Sequence, residues 1–571
     1  MHAARRLYVY LLSGVSLGFV LFGLQSLVRV LLETLGLRGD VLSGQLDASQ
    51  QLSGALALLG VGTPVWLLHW WFAERSIRPE HDPSGAERQS ALRALYFALV
   101  LVILLAISAF AISDLVFGLL AELLPAPDTY YGSTPAAALA TGLVGGAAWG
   151  YHALLRRRDM SAGELRRAAV WLPRAYLYGA AFGGAVWSLT SLVPLVDAAV
   201  RAAVGIAVEP YAWIGSVGPT IVGAAIWVGH AWYASRLRSD PGWRGASERA
   251  ARLRLGYLVA LIVVGVTGTI ALVSAALEPA LAALLGVGRA PDQIVPAMAT
   301  GAIAAVPFAV GGWLLHARTL RREATVEVDA ERPGLAWRLE HVAVALTGLA
   351  FAAAGSARLI TITLDAALGA HPEFSGPVSE LALDLPLAIL GAAVWIWAWA
   401  PMERRHQAFP QAEAASTVRR AGLLIVLAVA VIAGLSSLAL ILYRLFGFLL
   451  GAGLSGDAVG ELSTPAGILL VALVAGLYHG LALRGDLAVA LPPKPEPGVA
   501  EPEASAAAPE AVAAVPEPIP AEEEAVWESE GGPVLPPGIP LTLRGPDGSD
   551  VEAALKAARD SLPEGYRLER D

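Results

Sequence analysis

Residues 94–120 read ALYFALVLVILLAISAFAISDLVFGLL and contain one charged side chain, Asp114. A helix needs about 20 apolar residues to cross the roughly 30 Å hydrocarbon core of a bilayer, so this stretch predicts a membrane-spanning helix. Similar stretches recur near residues 7–31, 52–73, 136–155, 172–196, 213–234, 255–278, 297–317, 338–363, 381–400, 421–446 and 466–483. The sequence therefore predicts an all-α polytopic membrane protein with about twelve transmembrane helices.

Composition excludes an ordinary soluble protein. Hydrophobic residues make up 56% of the chain and charged residues only 16%, whereas soluble domains carry roughly a quarter charged residues. There is no cysteine, which excludes disulfides, thiolate metal sites and thiol catalysis. We expect the lipid bilayer as the main partner and no nucleic acid.

The distribution of arginine predicts the orientation in the membrane. The segments 1–6, 74–93, 156–174, 236–254, 318–338 and 404–420 contain 27 Arg, and the opposite loops contain only Arg38, Arg201 and Arg289. Short cytoplasmic loops are enriched in Lys and Arg. We therefore expect a bacterial inner-membrane protein with both termini in the cytoplasm.

The helices form an internal repeat in which each copy is a hairpin of two crossings. Each first helix begins near an arginine at the cytoplasmic interface, and most second helices end in an aromatic residue and a histidine. Sequence self-similarity at a fixed period indicates a repeat architecture. We predict six tandem hairpins at residues 5–76, 91–158, 171–236, 252–320, 334–404 and 416–484.

Two second helices carry the same N-terminal signal. The sequences Ser133-Thr134-Pro135 and Ser463-Thr464-Pro465 each combine a capping side chain with a proline. Ser and Thr accept hydrogen bonds from free helix N–H groups, and Pro is tolerated in the first helical turn. Both are predicted to begin the second helix of their hairpin.

The composition changes sharply after the last hairpin. Positions 492–530 hold ten Glu, nine Pro and one Lys, a composition that cannot bury enough apolar surface to fold. We predict a disordered acidic Pro-rich linker at 485–530 and a small C-terminal cytoplasmic module at 531–571. This tail is a candidate binding segment for a cytoplasmic protein partner.

The Trp-x-x-His signature is the first candidate site. It reads Trp66-Leu-Leu-His69, Trp149-Gly-Tyr-His152, Trp227-Val-Gly-His230 and Trp313-Leu-Leu-His316, with Tyr478-His479 in the sixth hairpin. The favoured interpretation is an interfacial belt, with Trp at headgroup depth and His and the following Arg156, Arg236 and Arg318 reaching water. The alternative is that several His bind haem or a metal, or relay protons. We predict no catalytic residue, no metal site and no cofactor, with haem as the alternative.

Acidic residues near the outer ends of the first helices form the second candidate site, at Asp114, Asp197, Glu278 and Asp365. An ionisable side chain inside a membrane is costly and often functional, so these acids could line a polar path. The first helices are longer than a bilayer requires, so the same acids could instead project into the outer interface.

Two segments resemble a known type of domain. Arg6-Leu-Tyr8-Val-Tyr10 and Arg174-Ala-Tyr176-Leu-Tyr178, each leading into an apolar helix, resemble an uncharacterised bacterial membrane domain of unknown function that occurs as tandem helix pairs. The resemblance covers residues 5–484. It implies the helix-pair fold and carries no functional residue.

Three functional classes follow from these features. A membrane scaffold or sensor, or a transport-associated protein, is favoured. A transporter or channel with an acidic path is the first alternative, and a haem- or metal-binding protein using the repeated His is the second. An enzyme is the class with least support, because the sequence contains no HExxH motif, nucleophile elbow or paired acid and base.

Overall fold

The computed structural model describes residues 3–37, 48–124, 134–160, 167–209, 211–249, 251–286, 291–325, 332–368, 377–450 and 458–490. All regular elements within these ranges are helices. The chain divides into Met1–Lys494 and Pro495–Asp571, and every described residue lies in the first unit. The predicted module at 531–571, and the predicted linker beyond Ala490, lie outside the described residues.

The long helices come in pairs along the chain, and the two helices of each pair pack against each other. The first three hairpins are α1 (Ala3–Thr34) with α2 (Ala48–Arg75), α3 (Ala91–Leu123) with α4 (Pro135–Met160), and α5 (Arg167–Ala203) with α6 (Tyr211–Arg238). A short helix, α7 (Trp243–Arg249), follows. The fourth hairpin is α8 (Arg252–Leu284) with α9 (Pro291–Val306), a π-helical segment (Pro307–Leu314) and α10 (Leu315–Thr325). The last two are α11 (Arg332–Leu368) with α12 (Pro377–Ala408), then α13 (Pro410–Ala414), and α14 (Thr417–Leu449) with α15 (Ala458–Ala490).

Length and composition identify a multi-pass membrane protein. Within the described residues, 11 helices are long and apolar enough to cross a membrane. The predicted crossing that is missing from this set is α4, which has 26 residues. Its central part is rich in Gly and Ala, which are less hydrophobic than the Leu, Val and Ile of the other helices. The all-α fold of tandem membrane hairpins is otherwise as predicted.

Successive hairpins pack in the same way. The first helix of a hairpin contacts its own second helix and also the second helix of the following hairpin, in the pairs α1 with α4, α3 with α6, α5 with α9, α8 with α12 and α11 with α15. Each hairpin therefore buries part of its surface against the next one, as in other repeat proteins.

Glycine allows several of these helices to approach closely. A Cβ atom at Gly184 of α5 would lie 2.7 Å from the backbone oxygen of Gly223 on α6, and one at Gly391 of α12 would lie 2.8 Å from that of Gly348 on α11. Membrane helices associate through such close packing because lipid provides little hydrophobic driving force between them.

One close approach joins two hairpins and gives a testable prediction. A Cβ at Gly218 of α6 would lie 2.6 Å from the backbone oxygen of Ser113 on α3. Gly218→Ala is therefore expected to lower the free energy of unfolding by about 1–3 kcal/mol through overpacking, measured by titration with a denaturing detergent. Gly215, three residues earlier in α6, has no atom within 4 Å of the position that a Cβ would occupy. Gly215→Ala is the control, and an equal loss in both variants would contradict this account.

The two predicted helix caps have different outcomes. Thr134 precedes α4, and its Oγ1 accepts a hydrogen bond from the backbone N–H of Ala137 at 3.1 Å, as predicted. The prediction for Ser463 is wrong, because α15 begins at Ala458 and contains Pro465 within the helix. The Ser463 hydroxyl instead donates a hydrogen bond to Asp365 on α11, so it joins two hairpins rather than capping one helix.

Candidate functional site

A buried arginine on α3 lies at the centre of the Arg-rich end of the first two hairpins. Arg93 is fully buried. Its Nε donates to Asp159 at the end of α4 (2.6 Å), its Nη2 to Glu74 at the end of α2 (2.8 Å), and its Nη1 to the Tyr10 hydroxyl on α1 (3.4 Å). Glu74 also accepts from Arg158 at 2.6 Å. One guanidinium thus connects all four helices of two hairpins.

The segment that joins these hairpins is held by a second ion pair. Arg6 Nε donates to Glu87 at 2.7 Å, and Glu87 is buried. The Tyr10 hydroxyl donates to the other Glu87 oxygen at 3.5 Å. We call the groups around Arg93 and Glu87 together the first charge cluster.

The same arrangement recurs in hairpins three and four as the second charge cluster. Arg174 Nε donates to Glu248 of α7 at 2.8 Å, and the Tyr178 hydroxyl also donates to Glu248. Arg254 of α8 takes the place of Arg93 and donates to Glu323 of α10 at 2.7 Å. Glu323 therefore corresponds to Asp159.

Hairpins five and six contain the third charge cluster. Arg338 donates to Glu413 of α13 at 2.7 Å. Arg419 of α14 donates to Asp486 at 2.8 Å and to Glu403 at 2.9 Å, and both Arg419 and Asp486 are only 1% exposed. The charge clusters on this side of the bundle therefore repeat every two hairpins, whereas the sequence repeat is a single hairpin. A further ion pair, between Arg321 of α10 and Glu340 of α11, joins hairpins four and five.

Glu413 lies in the short α13, between the membrane-spanning helices. Burial raises the pKa of its carboxyl, but the hydrogen bonds from Arg338 and Arg405 outweigh burial and hold the pKa below its ordinary value of 4.5. The carboxylate is therefore the stable form at neutral pH, and the ion pairs that depend on it persist there.

The five predicted histidines each bond to their own helix. The Nδ1 atoms of His69, His152, His230 and His479 lie 2.8 Å from the carbonyl oxygen four residues earlier. A carbonyl only accepts, so Nδ1 carries the proton and Nε2 of a neutral ring is an acceptor. In the π-helical region, His316 Nδ1 lies 2.8 Å from the Gly311 oxygen.

Tyrosines of the first helices contact the second ring nitrogen in three hairpins. The hydroxyls of Tyr8, Tyr96 and Tyr176 lie 3.4, 3.3 and 3.1 Å from Nε2 of the histidine in the same hairpin, namely His69, His152 and His230. The Trp-x-x-His signature and the interfacial tyrosine are thus parts of one packing arrangement.

Tryptophans of the signature connect consecutive hairpins. Trp149 of hairpin two donates to the Tyr176 hydroxyl of hairpin three at 2.8 Å, and Trp227 of hairpin three donates to Tyr257 of hairpin four at 3.2 Å. Indole N–H groups that are buried need such acceptors. The aromatic residues therefore stabilise the junctions between hairpins.

The expectation that the histidines reach water is wrong for four of them, because His69, His152, His316 and His479 are buried. Arg156 is also buried, whereas Arg236 and Arg318 are exposed as predicted. The tyrosines and tryptophans of neighbouring helices cover the rings, and this covering depends on the packing of the hairpins. Among the described residues, no group of three or more His, Cys, Asp or Glu could hold a metal ion.

The four predicted acids lie on four different first helices. Asp114 is exposed on α3, and Glu278 is half-buried on α8. Asp197 accepts from Arg201 one turn away at 2.7 Å and from Thr300 of α9 at 3.1 Å. Asp365 accepts from Ser463 of α15. Asp197 and Asp365 thus each bond to the second helix of the following hairpin.

Sequence reasoning missed the acids of the Arg-rich side. They comprise Glu74, Glu87, Asp159, Glu248, Glu323, Glu340, Glu403, Glu413 and Asp486. Every segment that connects two successive hairpins contains a Glu. The sequence therefore does not distinguish the acids that pair with a buried arginine from the others.

A cavity of about 940 Å³ lies between hairpins two and three, and α3, α4, α5, α6 and α7 contribute to its lining. Most of its wall is apolar. At the Arg-rich end it is lined by Arg156, Arg157 and Arg174, and also by Ser247 and by Glu248, which pairs with Arg174. On α3 and α6 the lining begins just beyond the close contact of Ser113 with Gly218. The two helices are therefore in contact at one end of the cavity and separated towards the arginines.

Comparison with known proteins finds a family. A family model described as a domain of unknown function (DUF5671) matches residues 6–128, 95–215 and 338–477. The first and third matches begin at Arg6 and Arg338, which pair with Glu87 and Glu413 in the first and third charge clusters. The resemblance predicted from the sequence is confirmed. No curated protein and no solved structure matches the chain.

Proposed function

Because the chain belongs to the DUF5671 family, whose description assigns no activity, we propose a function from its geometry: a membrane scaffold that holds a cytoplasmic protein at the bacterial inner membrane. Its hairpins provide a rigid anchor in the bilayer. The acidic tail that follows residue 490 provides the binding segment.

The observation that supports this proposal is the charge cluster repeated in three pairs of hairpins. Arg93 and Arg419 each join helices of two hairpins through carboxylates. Arg254 bonds to Glu323 of its own hairpin and to the Tyr178 hydroxyl of hairpin three, and Glu323 also accepts from Arg238 of hairpin three. Breaking a buried ion pair costs about 3–5 kcal/mol when one partner is left uncompensated. A transporter that moved these hairpins apart in each cycle would have to break such contacts repeatedly, whereas a scaffold keeps them.

The orientation expected from the arginine distribution supports the proposal, because it puts the tail in the cytoplasm. The segments between hairpins carry 27 Arg against three in the opposite loops, which favours the Arg-rich side as cytoplasmic. If α4 crosses as well as the 11 apolar helices, the number of crossings is even and the C-terminal tail lies on the same side as the N-terminus. Its ten Glu between 492 and 530 suit a partner with a basic surface.

The test compares three forms of the protein in cells by crosslinking and purification. They are the full chain, a chain ending at residue 490, and a full chain with the ten tail Glu changed to Gln. We expect all three in the membrane with equal thermal stability, and a cytoplasmic protein recovered only with the unchanged full chain. Recovery of the same proteins with all three forms would overturn the proposal.

The transport alternative has its own readout. Full-length protein in liposomes is expected to give no ion flux above that of empty liposomes. A flux that Asp197→Asn abolishes, with Asp114→Asn as the exposed control, would favour the transporter or channel instead.

A further inference from the structure

We propose that the cavity between hairpins two and three binds one anionic phospholipid of the surrounding bilayer. The acyl chain lies along the apolar wall, and the phosphate contacts Arg156 and Arg157. Binding of this lipid does not depend on the scaffold role.

The shape of the cavity fits a lipid acyl chain that enters from the surrounding bilayer. Its volume of about 940 Å³ is near the upper end of the roughly 300–1,000 Å³ typical of small-molecule sites. It is closed where Gly218 meets Ser113 and extends from there along the helices to the Arg-rich interface. A space of this form runs in the direction of the bilayer acyl chains.

The wall has the polarity of an acyl-chain site. Phe97, Leu101 and Ile112 of α3 line one side, and Ile221 and Ile226 of α6 line the other. Apolar side chains that face a cavity lack the dispersion contacts that atoms on the other side would provide. A hydrocarbon chain restores these contacts, and the bilayer supplies such chains at high concentration.

Arginines at the Arg-rich end of the cavity favour a lipid with an anionic headgroup. Arg156 lines the cavity and is only 4% exposed, whereas Arg157 beside it is exposed. Two other arginines of this region, Arg93 and Arg174, bond to Asp159 and Glu248. Arg157 pairs with no acid among the residues that the structure describes.

A phosphate suits this pair of arginines. Guanidinium groups bind phosphate through two parallel charge-assisted hydrogen bonds. The phosphate of a lipid whose chain fills the cavity is brought to the level of Arg156 and Arg157, near the end of α4. A lipid with net negative charge is preferred, because a zwitterionic headgroup brings its own cation to the same place.

Native mass spectrometry of the full chain in detergent tests the proposal. After removal of bound lipid, the protein is titrated with phosphatidylglycerol, with phosphatidylcholine of the same acyl chains, and with inorganic phosphate alone. We expect one phosphatidylglycerol to bind at least tenfold more tightly than phosphatidylcholine, with no binding of inorganic phosphate. Equal affinity for the two lipids would overturn the proposal, and so would binding of inorganic phosphate as tight as that of the anionic lipid.

Two variants with matched controls locate the site. Arg157→Gln changes an exposed side chain, so folding is preserved, and it is expected to reduce the preference for phosphatidylglycerol severalfold. Arg318→Gln alters an exposed arginine of α10 outside the cavity and should keep the full preference. Equal preference in the two variants would place the anionic site elsewhere and overturn the proposal.

The second variant fills the cavity. Gly150 lines it and has no atom within 4 Å of a Cβ position, and Gly179 of α5 has equal space but lies outside the lining. Gly150→Phe is expected to lose the bound lipid, and Gly179→Phe to retain it. Retention of tight lipid binding by Gly150→Phe at normal thermal stability would also overturn the proposal.

Discussion

Arg93→Met is expected to lower the free energy of unfolding by about 3–5 kcal/mol, because it leaves a buried carboxylate without its partner. Asp159 is as fully buried as Arg93, and the Nε to Oδ2 distance is 2.6 Å. Unfolding by a denaturing detergent, followed by tryptophan fluorescence, gives the free energy for the wild type and the variant.

Two controls separate the loss of the ion pair from a general effect of substitution. Adding Asp159→Leu to Arg93→Met removes both charges, and we expect it to recover most of the stability, since apolar replacement of a buried pair is often neutral. Arg29→Met removes an ion pair with Glu33 one turn away on the same helix, and such pairs contribute about 0.3–0.5 kcal/mol. A loss in Arg93→Met no larger than that in Arg29→Met would show that the first charge cluster does not stabilise the bundle.

The second prediction with a large expected effect concerns single introduced cysteines. In intact cells each of them is expected to be either labelled or fully protected. The chain has no cysteine, so one introduced thiol is the only target for a membrane-impermeant maleimide. Ser84 and Ser239 are exposed on the Arg-rich side, and Glu209 is exposed on the opposite side. With the Arg-rich side cytoplasmic, Glu209→Cys is expected to be labelled, and Ser84→Cys and Ser239→Cys to be labelled only after the cells are opened.

The same experiment decides whether α4 crosses the membrane. If α4 did not cross, every later segment would change side, so Glu209→Cys would be protected and Ser239→Cys labelled while Ser84→Cys stayed protected. Labelling of Ser84→Cys in intact cells would instead show that the whole orientation is the reverse of the expected one. The outcomes give different labelling patterns, because Ser84 precedes α4 in the chain and Glu209 and Ser239 follow it.

The helices and their pairing could be predicted from the sequence because each depends on a local property. A run such as residues 94–120 is apolar on all sides, and lipid requires a helix there whatever its neighbours are. Helix ends were harder to predict. Thr134 and Ser463 carry the same cap signal, but Ser463 bonds to Asp365 of another hairpin, a contact that no local pattern contains.

The charge clusters could not be predicted because their members are far apart along the chain. Arg93 and Asp159 are separated by 66 positions, and Arg419 and Asp486 by 67. Arginine near a membrane interface usually extends into water, and only the packing of two hairpins shows that Arg93 is buried. The cavity could not be predicted for the same reason. Arg156 and the exposed Arg318 differ only in the side chains that pack beside them.

The charge clusters also constrain how a gene for such a protein can change in length. Loss of hairpin one alone would leave Arg93 without Glu74 and the Tyr10 hydroxyl, and loss of hairpin six alone would leave Glu403 without Arg419. Loss of hairpins one and two together removes the complete first cluster and leaves the second and third intact. Deletions and duplications that span two hairpins are therefore tolerated more readily than those that span one, so related chains are expected to differ by steps of four helices.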